Sequence, residues 1–234
     1  MSAREAAAVK FREYMRRSNE LHDTYADEPG AAEQYDGFTE WQMAYLLTFF
    51  TDLYERPGYE EAIDFTMTDL AGVSVSGRDR ELERASPVVT RMLPRKALET
   101  IASAAELNAR VLKVNLGIFR CLQENGESPE AISERAYHLA CREASSLDEC
   151  LGLVDLAVHL GGTLKTLVKV PLLGAMLRGM RAPAHAAGFG ELQEFLEDGY
   201  TWFKQIPDID HFLTEIDERM TEVFELIYTK PLSA

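Results

Sequence analysis

Basic residues are scarce in this sequence relative to acidic ones. Its 234 residues include 24 Lys and Arg against 39 Asp and Glu, a formal net charge of −15. Binding to nucleic acid depends on clustered Lys and Arg that neutralise phosphates, and an anionic membrane surface attracts the same side chains. The charge therefore argues against both partners and predicts a soluble protein with an acidic surface.

Cysteine is also scarce. The three cysteines, Cys121, Cys141 and Cys150, are odd in number and form no Cys-x-x-Cys pair. We expect neither a disulfide framework nor a zinc knuckle, and reduced thiols are typical of a cytoplasmic protein. The charged N-terminal segment lacks the apolar core of a secretory signal, which favours the same compartment.

A long uninterrupted apolar run is missing as well. The most apolar segment, Leu164 to Leu177, contains Lys165, Lys169 and Pro171. Because a helix needs about 20 predominantly apolar residues to cross a bilayer, the sequence predicts no membrane span.

The motifs of common enzyme classes are absent too. The sequence has no phosphate-binding P-loop, no dinucleotide-binding glycine pattern, no Gly-x-Ser-x-Gly and no Glu-x-x-His. Asp208-x-x-His211 is better explained by a helix cap at Asp208 than by a metal. We therefore predict no catalytic residue, no metal and no cofactor. A metalloenzyme that uses His138, His159 and carboxylates is the least favoured alternative.

The pattern that is present is helical almost throughout. Apolar residues recur every three or four positions from Ile209 to Ile227 and again from Leu98 to Leu122, which places them on one helix face. Ser128-Pro129 has the composition of a further helix start. Pro and Gly breaks separate segments of helical length, and no alternating strand pattern with hairpin turns occurs.

These segments predict an all-α fold. We expect one domain over residues 1–234, a helical bundle of about eight helices, with a weak subdivision near residues 125–128.

The segment from Leu156 to Gly190 departs from the acidic average because it contains no Asp or Glu. Within it Pro183 is expected to begin a new helix, which would place His185 in a first turn where free N–H groups favour an anion. Arg178 and Arg181 are three residues apart on the preceding helix, and Lys169 lies upstream. We interpret the candidate ligand-binding residues as Arg178, Arg181, His185 and Lys169.

These four residues suggest a non-catalytic protein that binds or senses a small amphipathic anion, such as an acyl carboxylate or a phosphate head group. A structural helix junction is the competing interpretation, in which the acids that follow pair with the two arginines: Glu191, Glu194, Glu197 and Asp198.

The alternative function is a protein-interaction or scaffold module that forms a homodimer. It is suggested by aromatic residues that could anchor an interface, although each of them is also compatible with a core position: Trp41, Tyr45, Phe49, Phe50, Tyr54 and Trp202.

Several segments carry a family resemblance. The run MRAPAHAAGFGELQEFLEDGYTWF (180–203) resembles the C-terminal signature of an uncharacterised bacterial family named for an FFLEELY motif, and FTMTDLAG (65–72) occupies the place of that motif. Phe65, Leu70 and Gly72 fit the motif, whereas Thr66, Thr68 and Ala71 depart from it. Further similar positions are Trp41, Asp52-Leu53, Arg78-Asp79 and Arg91–Pro94. The resemblance implies an all-helical fold and no particular activity.

Overall fold

A computed structural model of the chain describes residues 1–26, 30–65, 75–92 and 95–231. Within these ranges the backbone is helical with no strand, so the predicted all-α class is confirmed. Besides a short 3-10 helix at Pro129–Ala131, the helices are α1 (Ala3–Ala26), α2 (Ala31–Leu47), α3 (Thr51–Tyr54), α4 (Glu60–Phe65), α5 (Val75–Met92), α6 (Arg95–Glu124), α7 (Glu134–Ala144), α8 (Leu147–Leu167), α9 (Leu173–Ala186), α10 (Gly190–Gln205) and α11 (Ile209–Thr229).

The predicted number of about eight helices is wrong, because the described ranges contain eleven α-helices and one 3-10 helix. Some helix breaks carry no Pro or Gly signal. α7 and α8 are separated at Ser145-Ser146, where the Ser146 side chain accepts a hydrogen bond from the Glu149 N–H at 3.2 Å. Ser128-Pro129 begins only the 3-10 helix, and α7 starts later, behind the Ser133 cap. Serine caps therefore mark helix starts that the pattern of Pro and Gly breaks does not indicate.

The two strongest helix predictions are confirmed as α6 and α11. α6 follows the 98–122 apolar stripe and ends before Gly126, which adopts a φ of 75°. At the start of α11 the Asp208 carboxylate accepts a hydrogen bond from the His211 N–H at 3.1 Å, so Asp208 is a helix cap as predicted.

The main core lies along α6, which packs against α1, α7 and α8. Tyr35 and Phe38 from α2 contact Phe119 of α6, with ring centroids 5.4 and 5.8 Å from it. Val223 and Ile227 of α11 belong to the same buried cluster. A second cluster, built around Phe50 and Phe212, joins the short helices to α10 and α11. Burial of these side chains supplies most of the driving force for folding.

A buried carboxylate connects α1, α5 and α6. Asp79 is 1% exposed and accepts hydrogen bonds from the Ser18 hydroxyl at 2.6 Å and the Asn108 amide at 2.7 Å. The His22 ring nitrogen lies 3.4 Å from the same oxygen. Because a buried carboxylate must be hydrogen-bonded, this cluster fixes how α1 and α5 sit on α6.

The C-terminal pair α9–α10 is held to the rest of the molecule through α5. Glu81 accepts a hydrogen bond from the Leu192 N–H at 2.9 Å, and Arg84 donates to the Gly188 carbonyl at 3.0 Å. α10 contacts α4, α5, α8 and α9, whereas α9 packs principally on α10. Most of the circumference of α9 is therefore left without a helical neighbour.

Candidate functional site

The sequence-predicted site residues lie on α9 or in the turn before it, and the local geometry differs from the expectation at Pro183. α9 runs through Pro183 and ends at Ala186, so the prediction that Pro183 begins a new helix is wrong. Pro183 leaves the Gly179 carbonyl without its helical donor, but both residues are exposed, so water can satisfy that carbonyl.

Gly188, two residues after the end of α9, has a φ of 76°. The Gly188 N–H bonds the His185 carbonyl at 3.0 Å and the Phe189 N–H bonds the Ala184 carbonyl at 2.9 Å, the two bonds of a Schellman motif. His185 therefore sits in the last turn of α9, where the macrodipole disfavours an anion. Its Nε2 lies 3.5 Å from a Glu194 carboxylate oxygen.

Arg181 faces α10 and is engaged by Glu197. Its Nε donates to Glu197 Oε1 at 3.1 Å and its Nη2 donates to Oε2, a bidentate pair. The Gln193 amide donates to the same carboxylate at 2.9 Å and also to the Leu177 carbonyl of α9. Glu197 is 8% exposed, and the hydrogen bond from Arg181 lowers its pKa. Arg181 thus fastens α9 to α10, as in the junction interpretation.

Lys169 and Arg178 are both exposed. Lys169 lies in the turn before α9, and the positive charge of Arg178 helps to lower the pKa of Glu197. Among the described residues neither side chain forms an ion pair, unlike Lys165, whose Nζ lies 2.5 Å from Asp210. The four candidates therefore divide into two that bind acids of α10 and two that border the exposed side of α9. Anion binding by them stays a prediction.

The feature that sequence reasoning missed is the composition of the exposed side of α9. Leu172, Met176 and Met180 are 77%, 65% and 55% exposed. Their neighbours on the same side are small or apolar, and none is charged. We call this set the α9 apolar face: Leu172, Ala175, Met176, Gly179, Met180, Ala182, Pro183 and Ala186, all of them exposed.

α9 therefore has apolar residues on two sides: Leu173, Leu177 and Ala184 are half-buried, as on the core-facing side of a usual surface helix, and the α9 apolar face is exposed. Arg181 and His185 lie on the side next to α10, where they meet its acids while their side chains stay 61% and 47% exposed, and Gly174 packs directly on the ring of Tyr200. The sequence contains this amphipathic pattern, but only the position of α10 shows which side is solvent. A large exposed apolar area commonly marks an interaction site.

Leu172, at the beginning of the face, has a strained backbone. Among the described residues it is the non-glycine residue with a positive φ, 66°. For an L-residue with a bulky side chain this conformation costs about 1 kcal/mol. Strained residues are concentrated at functional sites, and here the strain holds an exposed leucine at the tip of the α8–α9 turn.

The apolar surface continues into that turn. Val170 is 46% exposed and Leu167, the last residue of α8, is 37% exposed. By length and composition alone α8 could cross a membrane, and 28% of its most apolar window is buried. A single helix of this kind is weak evidence for a span.

A separate cleft of about 380 Å³ lies between the start of α1 and the end of α5. Arg4 donates from Nη2 to the carbonyls of Thr90 and Arg91, both at 2.9 Å. Ser2 and Glu5 exchange hydrogen bonds as a capping box at one edge of the cleft. Most polar groups that line the cleft therefore cap the start of α1 or the end of α5.

Within the described ranges, no group of three His, Cys, Asp or Glu side chains could hold a metal ion. His138 Nε2 lies 2.8 Å from the Tyr45 hydroxyl oxygen and 3.8 Å from a Glu134 carboxylate oxygen. Burial lowers the pKa of His138 and raises that of Tyr45 to about 12. Cys141 and Cys150 are buried free thiols, and burial raises the pKa of Cys141 to about 12, which keeps it unreactive.

The resemblance can be placed only in part. Phe65 ends α4, while Thr66 to Gly72 lie outside the described residues. The interface aromatics of the alternative function are half-buried or, in the case of Phe50, fully buried. Trp41 stacks on Tyr45 at a centroid distance of 5.4 Å, so these rings stabilise the core.

Comparison with known proteins gives a family but no activity. No curated protein and no solved structure matches the chain. A family model described as a domain of unknown function, DUF8198, matches residues 21–232. This agrees with the expected uncharacterised family, while the FFLEELY motif and a bacterial source stay predictions. Because the match covers nearly the whole chain, the protein belongs to the DUF8198 family.

Proposed function

We propose that the protein is a non-catalytic interaction module that docks a macromolecular partner on the α9 apolar face. One observation carries the proposal: the α9 apolar face has three large exposed apolar side chains and no charged one, in a chain with a net charge of −15. Exposure of so much apolar surface to water is unfavourable, and a partner that covers it recovers that free energy.

Site-specific photocrosslinking in living cells tests the proposal. A photoreactive amino acid is placed at position 176 or 180, and at Leu139 of α7 as a matched control, since Leu139 is an apolar residue with 44% exposure. Adducts at 176 and 180 but not at 139 are expected, and mass spectrometry then identifies the attached chain. Equal yields at all three positions would contradict the proposal.

A small amphipathic anion is the second candidate ligand. The specific observation in its favour is that Lys169 and Arg178 border the α9 apolar face and form no ion pair among the described residues. Dodecanoate combines the required carboxylate and alkyl chain. Equilibrium dialysis should show binding that the Lys169→Ala, Arg178→Ala double variant loses, and an absence of uptake by the parent protein rules dodecanoate out as a ligand.

A further inference from the structure

We propose that the partner on the α9 apolar face is a second copy of this chain, with the two α9 helices antiparallel across a two-fold axis. The inference rests on the proposed function and names its partner. Most soluble oligomers are symmetric dimers of identical subunits, in which one patch contacts itself. The α9 apolar face can do so because it presents no charge to its own copy.

Charge explains why self-association would use this part of the molecule. Two copies that each carry −15 repel one another wherever acidic surfaces approach. From Leu156 to Gly190 the chain has no acidic residue, and α9 lies wholly inside that segment. An interface centred on α9 therefore keeps the acidic residues of both copies at its margin.

The charges at the two ends of α9 favour the antiparallel direction. Lys169 lies before the N-terminus of the helix, and the last carbonyls of the helix lie at its C-terminal end. Antiparallel pairing puts Lys169 next to the C-terminal end of the other α9, where the helix carbonyls are negative. Parallel pairing would place each end against its like-charged counterpart.

Small residues near the middle of the face permit close approach of the two helices. Ala175, Gly179 and Ala182 alternate with the two methionines, and an added Cβ at Gly179 would meet no atom within 4 Å. Methionine is flexible and fills irregular gaps between packed surfaces. Helices with small residues at the contact can approach to about 8 Å between axes.

The size of the face predicts a weak dimer. A helix of 14 residues is about 21 Å long, so one side of α9 covers less than the roughly 800 Å² per partner of a standard stable interface. Val170 and Leu167 precede α9, so in an antiparallel dimer the two copies extend the contact at both of its ends. We expect dissociation in the micromolar range.

Sedimentation velocity on the full chain, from about 1 to about 200 μM, tests the proposal. The expected result is a shift from the 26.3 kDa monomer to twice that mass as concentration rises. Met176→Glu should weaken the dimer at least about tenfold, since it buries a charge in each half of the interface. Leu139→Glu is the matched control and should leave it unchanged. Circular dichroism verifies that both variants fold.

Lys169→Glu tests the antiparallel geometry. In an antiparallel dimer it places a negative charge beside the C-terminal carbonyls of the other α9 and should weaken the association. In a parallel dimer it exchanges one like-charged contact for another, so the dissociation constant would not change. An unchanged dissociation constant therefore contradicts the antiparallel arrangement.

The outcomes separate this inference from the proposed function. A constant monomer mass at all concentrations overturns the dimer, and crosslinks from position 176 to a different protein would then leave the docking function intact. Flotation of the monomer with phosphatidylglycerol vesicles, abolished by Met176→Glu, would likewise overturn the second copy as occupant. Absence of dimer, crosslinks and vesicle binding together removes both proposals.

Discussion

At the residue scale, the molecule concentrates unusual features in a few positions. Leu172 combines a positive φ of 66° with 77% exposure of its side chain. Asp79 is a nearly inaccessible carboxylate surrounded by hydrogen-bond donors. Leu172 has a strained backbone at the surface, whereas Asp79 forms stabilising hydrogen bonds in the interior. Relief of the strain at Leu172 should therefore stabilise the protein, and loss of the Asp79 carboxylate should destabilise it.

Leu172→Gly should raise the free energy of unfolding of the monomer by up to about 1 kcal/mol, because glycine adopts a positive φ without strain. Leu172→Ala retains a Cβ and therefore the strain, so it should bring no such gain. Both variants should weaken the association, since both remove the leucine side chain from the α9 apolar face. Urea denaturation at low protein concentration measures the stabilities, and equal values for the two variants would refute the strain argument.

Asp79→Ala should lower the free energy of unfolding by about 3 kcal/mol, since it removes the buried carboxylate that accepts hydrogen bonds from the Ser18 hydroxyl and the Asn108 amide. The exposed Glu218→Ala on α11 is the control and should change stability by less than about 0.5 kcal/mol. Chemical denaturation provides the comparison. A loss at Asp79 no larger than that of the control would mean that the cluster does not hold α1 and α5 to α6.

At the element scale, junctions between helices depend on ion pairs and caps that link distant parts of the chain. Arg219 of α11 donates to the Asp52 carboxylate of α3 and to the Phe49 carbonyl, at 2.9 and 3.0 Å. Arg181 links α9 to Glu197 of α10 in a similar bidentate way. Sequence reasoning named Arg181 and Glu197 as possible partners, but the Arg219–Asp52 pair joins residues too far apart along the chain to be inferred.

The Asp52–Arg219 pair predicts a pH dependence. The hydrogen bond from Arg219 lowers the pKa of Asp52 from 3.8 to about 2. A lowered pKa in the folded state means that the carboxylate adds stability above its ordinary pKa and loses it as the pH falls toward 2. The stability difference between the parent and Asp52→Asn should therefore be constant from about pH 7 to about pH 4 and shrink below that. A difference that persists unchanged at the lowest pH would contradict the ion pair.

Pro183→Ala should stabilise the protein by about 2 kcal/mol, because Pro183 lies inside α9 and interrupts its hydrogen bonding. Had Pro183 begun a helix, the substitution would have little effect, since a missing N–H at a first turn is harmless. Pro207→Ala, in the turn before α11, is the control. Thermal unfolding followed by circular dichroism distinguishes the two cases.

At the scale of the whole molecule, one core spans the predicted weak division near residues 125–128. The buried cluster around α6 includes Tyr35 and Phe38 from before that point and Ile132, Tyr137 and Val223 from after it. Side chains from both halves are interleaved, so neither half retains its core alone. The prediction of one domain over residues 1–234 therefore implies that the chain unfolds as one cooperative unit.

The two tryptophans test that cooperativity, because Trp41 lies on α2 and Trp202 on α10. Trp41→Phe leaves fluorescence from the C-terminal half, and Trp202→Phe leaves fluorescence from the N-terminal half. Within each variant, fluorescence and circular dichroism should give coincident urea transitions, as a single cooperative unit requires. Separate transitions in either variant would divide the chain into two domains.

The sequence by itself determined the all-α class, the two longest amphipathic helices, the Asp208 cap and the acid-free segment, because these depend on residues close together in the chain. It also supplied the alternation of cations and apolar residues along α9. Only the tertiary structure decided how that alternation is used. Glu197 and Glu194 on α10 bind Arg181 and His185, which holds this side of α9 next to α10 and leaves Met176 and Met180 in solvent. Amphipathic periodicity specifies two faces of a helix, and the neighbouring helix determines which of them is buried.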